Sequence, residues 1–192
     1  AASDVYKRQM LHQAISTCSR WQKYIPNFRI NINLSYVQVM KSRVLTEILT
    51  ALRLYGLEPS AVGIELTESG YLDTNTHFQK LWDGLKKNGV LVILDDFGTG
   101  YSNFDRILSL KLDVVKFDRS LLLMADQDAN SRFMLDYFST AFERLGYKVL
   151  YEGVETDAQE ELCIISHADY LQGYKFSKPI PIEELPRFLT RG

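Results

Sequence analysis

Two adjacent aspartates follow an aliphatic run near the middle of the chain. Residues 90–94 read Val-Leu-Val-Ile-Leu, and Asp95 and Asp96 come next, before a Phe-Gly-Thr-Gly turn at residues 97–100. Neighbouring carboxylates repel each other, so placing them side by side at a strand end costs stability unless a cation balances the charge. The pattern therefore predicts a cation site at the end of a buried strand.

Polar side chains recur at the ends of the other strand-like runs. In chain order the set is Asn33, Glu65, Asp95, Asp96, Lys116, Glu152 and Gln172. It offers oxygen donors and one amine, with no histidine or cysteine. Mg²⁺ and Mn²⁺ prefer oxygen ligands, whereas zinc more often recruits imidazole or thiolate. The set predicts a site for hard divalent cations.

The spacing of the two aspartates constrains the local backbone. Adjacent residues of a regular strand face opposite ways, so both carboxylates reach one site only if the strand ends or twists between them. The turn at residues 97–100 is expected to supply that break. One carboxylate could then bridge two ions about 3.5–4 Å apart, an arrangement that cleaves phosphodiesters. Lys116 would add positive charge beside the attacking water or the developing phosphorane.

Each of these residues has a simpler interpretation when it is taken alone. An acidic residue at a strand end is commonly a helix cap or a solvated carboxylate, which applies to Glu65 and Glu152. Lys116 alone would be a surface lysine with a buried stem, and Asn33 alone a hydrogen-bonded buried amide. The recurrence of polar side chains at successive strand ends favours one shared site.

Strand-like and helix-like segments alternate along the chain. The predicted strands are residues 29–35, 62–67, 90–96, 113–118, 148–152 and 170–173. The predicted helices are residues 10–24, 36–55, 75–88, 129–145, 157–166 and 182–189. Such alternation predicts a mostly parallel α/β sheet. In the first strand Asn31 and Asn33 share a face, so that face is not an ordinary apolar core. Polar C-terminal strand ends are typical of a β/α barrel.

Composition bounds the domain organisation and the partners. A chain of 192 residues with 46% hydrophobic residues and no internal repeat predicts a single domain over residues 1–192. A net charge of −2 without a long run of one sign indicates neither a nucleic-acid polymer nor a polybasic membrane patch as partner. No apolar stretch approaches the roughly 20 residues of a membrane helix, and a cytoplasmic location is expected. Cys18 and Cys163 are expected to be reduced, packing thiols.

At these residues the chain resembles the EAL-domain family of cyclic di-GMP phosphodiesterases. The matching motifs are Asn-Leu-Ser at 33–35, Glu-Leu-Thr-Glu-Ser at 65–69, Asp-Asp-Phe-Gly-Thr-Gly-Tyr-Ser at 95–102, Lys-Phe-Asp at 116–118, Glu-Gly-Val-Glu-Thr at 152–156 and Gln-Gly-Tyr at 172–174. The resemblance covers residues 10–189, whereas residues 1–9 are not family-like. It implies a modified (β/α)8 TIM-type barrel that hydrolyses cyclic di-GMP to linear pGpG in bacterial second-messenger signalling.

The resemblance also implies a metal site with two Mg²⁺ or Mn²⁺ ions. Asn33, Glu65 and Asp95 would bind the first ion, and Asp95 with Asp96 would bind the second.

Further roles follow from the same resemblance. Glu152 would bind or deprotonate the attacking water, which Lys116 would orient. Glu155 and Gln172 would lie near the second metal ion and the substrate. Glu68 would brace the loop that follows the aspartate pair. The resemblance links this loop to dimer contacts and activation, so a homodimer, where one forms, would use it.

One feature of the family is missing from the sequence. The family is named for a Glu-Ala-Leu motif on the first barrel strand, whose glutamate is a metal ligand, and no such strand precedes Met10. About six strands are expected where a closed barrel has eight. The resemblance therefore implies an N-terminally truncated domain whose first metal ion lacks one carboxylate. This chain by itself is expected to have weak activity or none.

Two other functions are compatible with the residues. One is a non-catalytic EAL-like module that binds cyclic di-GMP or a protein partner. The other is a metal-dependent barrel enzyme for a different phosphorylated or carboxylated substrate, which the order of the motifs opposes. Degenerate members of the family usually lose metal-site residues at several strands, and here the downstream set is complete, which favours catalysis in the parent protein.

Overall fold

The structure is a computed structural model that describes residues 2–40, 43–67, 76–100, 107 and 110–189. Its α-helices are α1 (Ala2–Gln22), α2 (Tyr36–Val39), α3 (Val44–Tyr55), α4 (Thr76–Lys87), α5 (Arg119–Gln127), α6 (Ala129–Arg144), α7 (Asp157–Ile165) and α8 (Leu185–Leu189). Its strands are β1 (Ile30–Asn33), β2 (Val62–Thr67), β3 (Leu91–Phe97), β4 (Val114–Phe117), β5 (Lys148–Tyr151) and β6 (Tyr170–Leu171). Short 3₁₀ turns precede β2 and α8.

The strand order is β1-β2-β3-β4-β5-β6, so strands follow one another in chain order. The pairs β1–β2, β2–β3 and β5–β6 are parallel. The register sets Asn33 beside Glu65 and Thr67 beside Asp95. Parallel neighbours need a crossover connection, and helices supply it between most of these strands. The predicted α/β class and the six predicted strands are confirmed.

The chain divides into two compact units, Ala1–Lys116 and Phe117–Gly192. In the first unit α1 packs on α3 and on β1, and α4 packs on β3. Each helix contributes fully buried side chains, such as Ile15 from α1, Ile48 from α3 and Leu85 from α4. Burial of aliphatic side chains at this spacing fixes each helix against the strand that it follows or precedes.

The second unit is built around an aromatic cluster. Phe117 lies edge-on to Phe142 of α6 and to Tyr151 of β5, with ring centroids 5.9 Å and 5.0 Å away. All three rings are buried. Edge-to-face contacts of this kind add stability beyond the apolar area that they bury. They tie the last residue of β4 to the helix and the strand that come after it.

Three helices differ from the sequence expectations. Helix α1 begins at Ala2 instead of residue 10, and nothing in residues 2–9 is a glycine or proline that would stop it. The single helix expected over 36–55 is two helices, α2 and α3. Helix α5 was not predicted, because an apolar run such as Leu-Leu-Leu-Met-Ala at 121–125 fits a strand or a helix equally well.

Both cysteines are free and buried, as predicted. Burial raises the pKa of the Cys163 thiol to about 12, and it also raises the pKa of Cys18. Both side chains therefore remain protonated thiols at neutral pH and act as small apolar groups.

Within the part of the chain that the structure describes, no helix combines the length and the apolar character that crossing a bilayer requires.

An aspartate fastens the start of β4 to β3 in the first unit. The Asp113 amide donates to the Val92 carbonyl at 2.9 Å, and its carboxylate accepts the Val92 N–H at 2.8 Å. Lys86 of α4 pairs with the same carboxylate at 2.7 Å. Val92 is fully buried, so its N–H depends on this acceptor.

Asp113→Ala is expected to lower the free energy of unfolding by about 1–3 kcal/mol, because it leaves a buried N–H without its acceptor. Asp113→Asn is expected to cost less, since an amide oxygen can still accept that bond. Urea unfolding followed by circular dichroism measures both. Asp126→Ala, at an exposed position of α5, is the matched control and is expected to change stability by less than about 0.5 kcal/mol. Equal effects of the three changes would contradict this role of Asp113.

Candidate active site

The aspartate pair lies inside β3, which runs one residue further than predicted. The strand ends at Phe97, whose ring is 2% exposed and anchors that end in the core. Asp95 is buried, and Asp96 is partly buried. The two carboxylates therefore project from the C-terminal end of a well-anchored strand, which limits how far they can move.

The backbone turns at Asp96 itself. Its φ is 56°, in the left-handed region that aspartate tolerates better than most residues. The expected break between the two aspartates is thus present, although it lies one residue before the predicted turn at 97–100. One oxygen of Asp95 and one of Asp96 lie within 4.8 Å of each other. Both carboxylates can therefore face one cation.

The buried ammonium group of Lys116 contacts one carboxylate of β2 and one of β3. The Lys116 Nζ lies 2.7 Å from Asp95 Oδ1 and 3.2 Å from Glu65 Oε2. The exposed fractions of the three side chains are 6% for Lys116, 6% for Glu65 and 11% for Asp95. Charges this deeply buried are tolerated only when they are paired and hydrogen-bonded. The simple interpretation of Lys116 as a surface lysine is wrong.

The other oxygen of Glu65 has its own donor. Asn31 Nδ2 donates to Glu65 Oε1 at 2.9 Å across the β1–β2 pair. This contact needs a glycine at residue 63, because a Cβ there would lie 2.6 Å from both Asn31 Oδ1 and Ile93 Cδ1. Asn31 was not predicted to take part in the site. The signal was present, since Asn31 shares a face of β1 with Asn33.

Two of the predicted residues have no described side-chain hydrogen bond to the Glu65–Lys116–Asp95 group. Asn33 is the last residue of β1, pairs in register with Glu65 and is exposed. Glu68, expected to brace the loop after the aspartate pair, lies outside the described residues. The first unit therefore brings together Glu65, Asp95, Asp96 and Lys116, with Asn33 at the adjacent strand end.

The remaining predicted residues belong to the second unit. Glu152 directly follows β5, is partly buried, and its N–H donates to the Phe117 carbonyl at 3.1 Å. Gln172 directly follows β6, and its backbone bonds to Tyr151 and to Val154 at 2.9 Å and 3.1 Å. These bonds continue the β5–β6 pairing past the strand ends. They hold Glu152 and Gln172 on neighbouring segments.

Glu155 is exposed and forms an ion pair that the sequence did not suggest. Arg119 Nη2 lies 2.9 Å from Glu155 Oε1, and the stem of Arg119 crosses Gly153, where any Cβ would overlap it. Gly153 also has φ 72°, a conformation that favours glycine. The sequence shows a glycine after Glu152, but only the structure shows that Arg119 packs over it.

The site in the first unit can hold a cation. Glu65 and Asp95 share the Lys116 ammonium group, and Asp96 places an oxygen within 4.8 Å of one of Asp95. Among these described side chains, three carboxylates accompany one ammonium group, so negative charge is in excess. The available donors are carboxylate oxygens, the ligand type that Mg²⁺ and Mn²⁺ prefer. An acidic cluster suited to a divalent metal ion is therefore present.

A parallel α/β sheet that carries such a cluster near its C-terminal strand ends places the protein among α/β proteins of barrel type. Residues 3–179 match the model of the EAL domain family, and the chain belongs to that family. The predicted family is confirmed.

Relatives of known structure support the fold. The chain superposes on the EAL domain of Mycobacterium smegmatis DcpA with a TM-score of 0.90 and 28% identity, covering 100% of this chain and 87% of that one. The PaMucR phosphodiesterase in its c-di-GMP complex gives 0.86 and 28%, covering 93% of this chain and 72% of that one. The barrel-type fold is confirmed by these similarities.

The cyclic di-GMP phosphodiesterase PdeL of Escherichia coli (strain K12) is 29% identical over 178 residues, which are 92% of this chain and 49% of PdeL. Across the first three curated relatives the chain spans between 22% and 49% of their length.

Asp96→Ala is expected to be less stable than Asp96→Gly by about 1 kcal/mol, because alanine is strained at a positive φ whereas glycine is not. Thermal and urea unfolding measure the difference. The same two changes at Asp95, whose φ is not positive, are the matched control, and there the glycine variant is expected to be the less stable one. The same order at both positions would contradict the assigned backbone.

Proposed function

We propose that this chain is the catalytic part of a metal-dependent phosphodiesterase that hydrolyses cyclic di-GMP to linear pGpG in bacterial second-messenger signalling. The observation that carries the proposal is the buried Glu65–Lys116–Asp95 group beside Asp96, in a chain of the EAL domain family. A solvated or helix-capping role does not explain three charged side chains with exposed fractions between 6% and 11%.

Metal binding is the first part of the proposal. Asn33, Glu65 and Asp95 would hold a first Mg²⁺ or Mn²⁺, and Asp95 with Asp96 would hold a second. The all-oxygen donor set and the excess of negative charge fit such ions. When bound, two divalent ions supply Lewis-acid stabilisation of the phosphodiester oxygens and make a water molecule more acidic.

The chain's own residues would manage the water and the substrate. Glu152 accepts a proton from the attacking water on a carboxylate oxygen. Lys116 orients that water and stabilises the negative charge that develops on the phosphoryl oxygens. Water adds to phosphorus as it gives a proton to Glu152, and the bond from phosphorus to one ribose oxygen breaks. That oxygen takes a proton from solvent water, and Glu152 returns its proton to the solvent. Glu155 and Gln172 would contact the substrate near the second ion.

Assembly and location complete the proposal. Two copies would associate through the loop after Asp96, with Glu68 bracing that loop, which the family resemblance supports. A charged dinucleotide does not cross a bilayer unaided, so an enzyme that degrades it must share its compartment. We place that compartment in the cytoplasm.

The direct test uses this chain and a version extended at its N-terminus by a strand that carries Glu-Ala-Leu. Both are incubated with cyclic di-GMP and Mn²⁺, and the product is separated by chromatography. The extended protein is expected to form linear pGpG, and this chain much less. In the extended protein, Glu152→Gln is expected to lower kcat roughly 10²–10⁴-fold while substrate binding persists, because general-base catalysis is lost.

Glu161→Gln, at an exposed position of α7, is the matched control and is expected to leave kcat unchanged. An extended protein that folds and binds cyclic di-GMP without turnover would contradict the proposed enzyme activity and favour the non-catalytic binding module. Turnover that survives Glu152→Gln would remove Glu152 from the mechanism.

A further inference from the structure

We propose that Lys116 is the internal counter-ion of the metal site: its ammonium group holds Glu65 and Asp95 together, and it opposes the binding of the first metal ion. This inference rests on the metal-binding part of the proposed function. It adds a role that orienting a water molecule does not include.

The contacts of Lys116 are those of a counter-ion. The ammonium group contacts both carboxylates, Asp95 at 2.7 Å and Glu65 at 3.2 Å, and all three side chains are buried. A lysine placed only to reach a water molecule would not need two carboxylate partners. Removing it would leave two like charges in a buried setting, which is strongly unfavourable.

The neighbouring contacts keep the two carboxylates where they are. Asn31 fixes the second oxygen of Glu65 at 2.9 Å, and Gly63 leaves room for that amide. Asn31 is neutral, so it orients Glu65 without supplying positive charge. Lys116 is therefore the cation that balances this pair within the described part of the first unit.

A shared set of ligands produces competition. Glu65 and Asp95 are the carboxylates proposed to bind the first metal ion, and both already interact with a unit positive charge. A second cation at these oxygens meets repulsion from the ammonium group, or must displace it, and either event weakens metal binding. The affinity of the site is thus set below the value that its carboxylates alone would give.

Lys116→Met tests the competition without any substrate. The variant is expected to unfold at a lower urea concentration than the wild type when metal is absent. It is also expected to bind Mn²⁺ at least tenfold more tightly by calorimetry. The rise in melting temperature on adding Mn²⁺ should be larger in the variant, because tighter binding to the folded state stabilises it more. Lys116→Gln, which keeps hydrogen-bond donors without the charge, provides a second variant if the first does not fold.

Lys86→Met is the matched control, because Lys86 also pairs with an aspartate at 2.7 Å in the same unit but far less deeply buried. It is expected to leave Mn²⁺ affinity unchanged. Wild-type protein that binds Mn²⁺ as tightly as both Lys116 variants, or more tightly, would overturn the proposal. Absence of Mn²⁺ binding by all the proteins would reject the proposed metal site and the counter-ion role with it. Glu65→Gln distinguishes the counter-ion role from the metal site on which it rests. If this change leaves Mn²⁺ affinity intact, Glu65 is not a metal ligand and the proposed metal site is rejected.

Discussion

The site depends on one buried ammonium group. Lys116 lies between Glu65 and Asp95, and each of these three side chains would be costly to bury alone. Together they form a small buried polar group at the ends of three strands. The arrangement fixes two carboxylates of neighbouring strands in one orientation and stores negative charge close to Asp96. A buried acidic cluster needs such a balance, because unpaired carboxylates would not stay together in a buried setting.

The sheet supplies the positions, and backbone details refine them. Parallel register sets Asn33 beside Glu65, so polar residues of successive strands reach the same edge. Gly63 removes a side chain where the Asn31 amide must lie. Asp96 takes a left-handed conformation that turns its carboxylate toward the side of Asp95. None of these features adds chemistry by itself, but each narrows the geometry available to the carboxylates.

Sequence patterns were sufficient for the class of fold and the six strands, because apolar runs with polar ends alternate with helix-like segments. The order of the motifs was sufficient for the family. The patterns placed the break after Asp95 one residue late, at residues 97–100, because residue types alone do not fix the φ of a single residue such as Asp96. They also missed Asn31 and Arg119, whose partners lie 34 and 36 residues away in the chain. Predicting such long-range pairs requires knowing which segments lie side by side in the fold. Helix α5 was missed because periodicity does not separate short apolar helices from strands.

The central claim is that Glu65, Asp95 and Asp96 form a divalent metal site whose internal counter-ion is Lys116. Crystals grown with Mn²⁺ and measured at the manganese absorption edge test it most directly. The account predicts anomalous density bonded to oxygens of Glu65 and Asp95, with a second peak at the Asp95–Asp96 pair. Anomalous density absent from all three carboxylates at saturating Mn²⁺, with Lys116 still bridging Glu65 and Asp95, would contradict it.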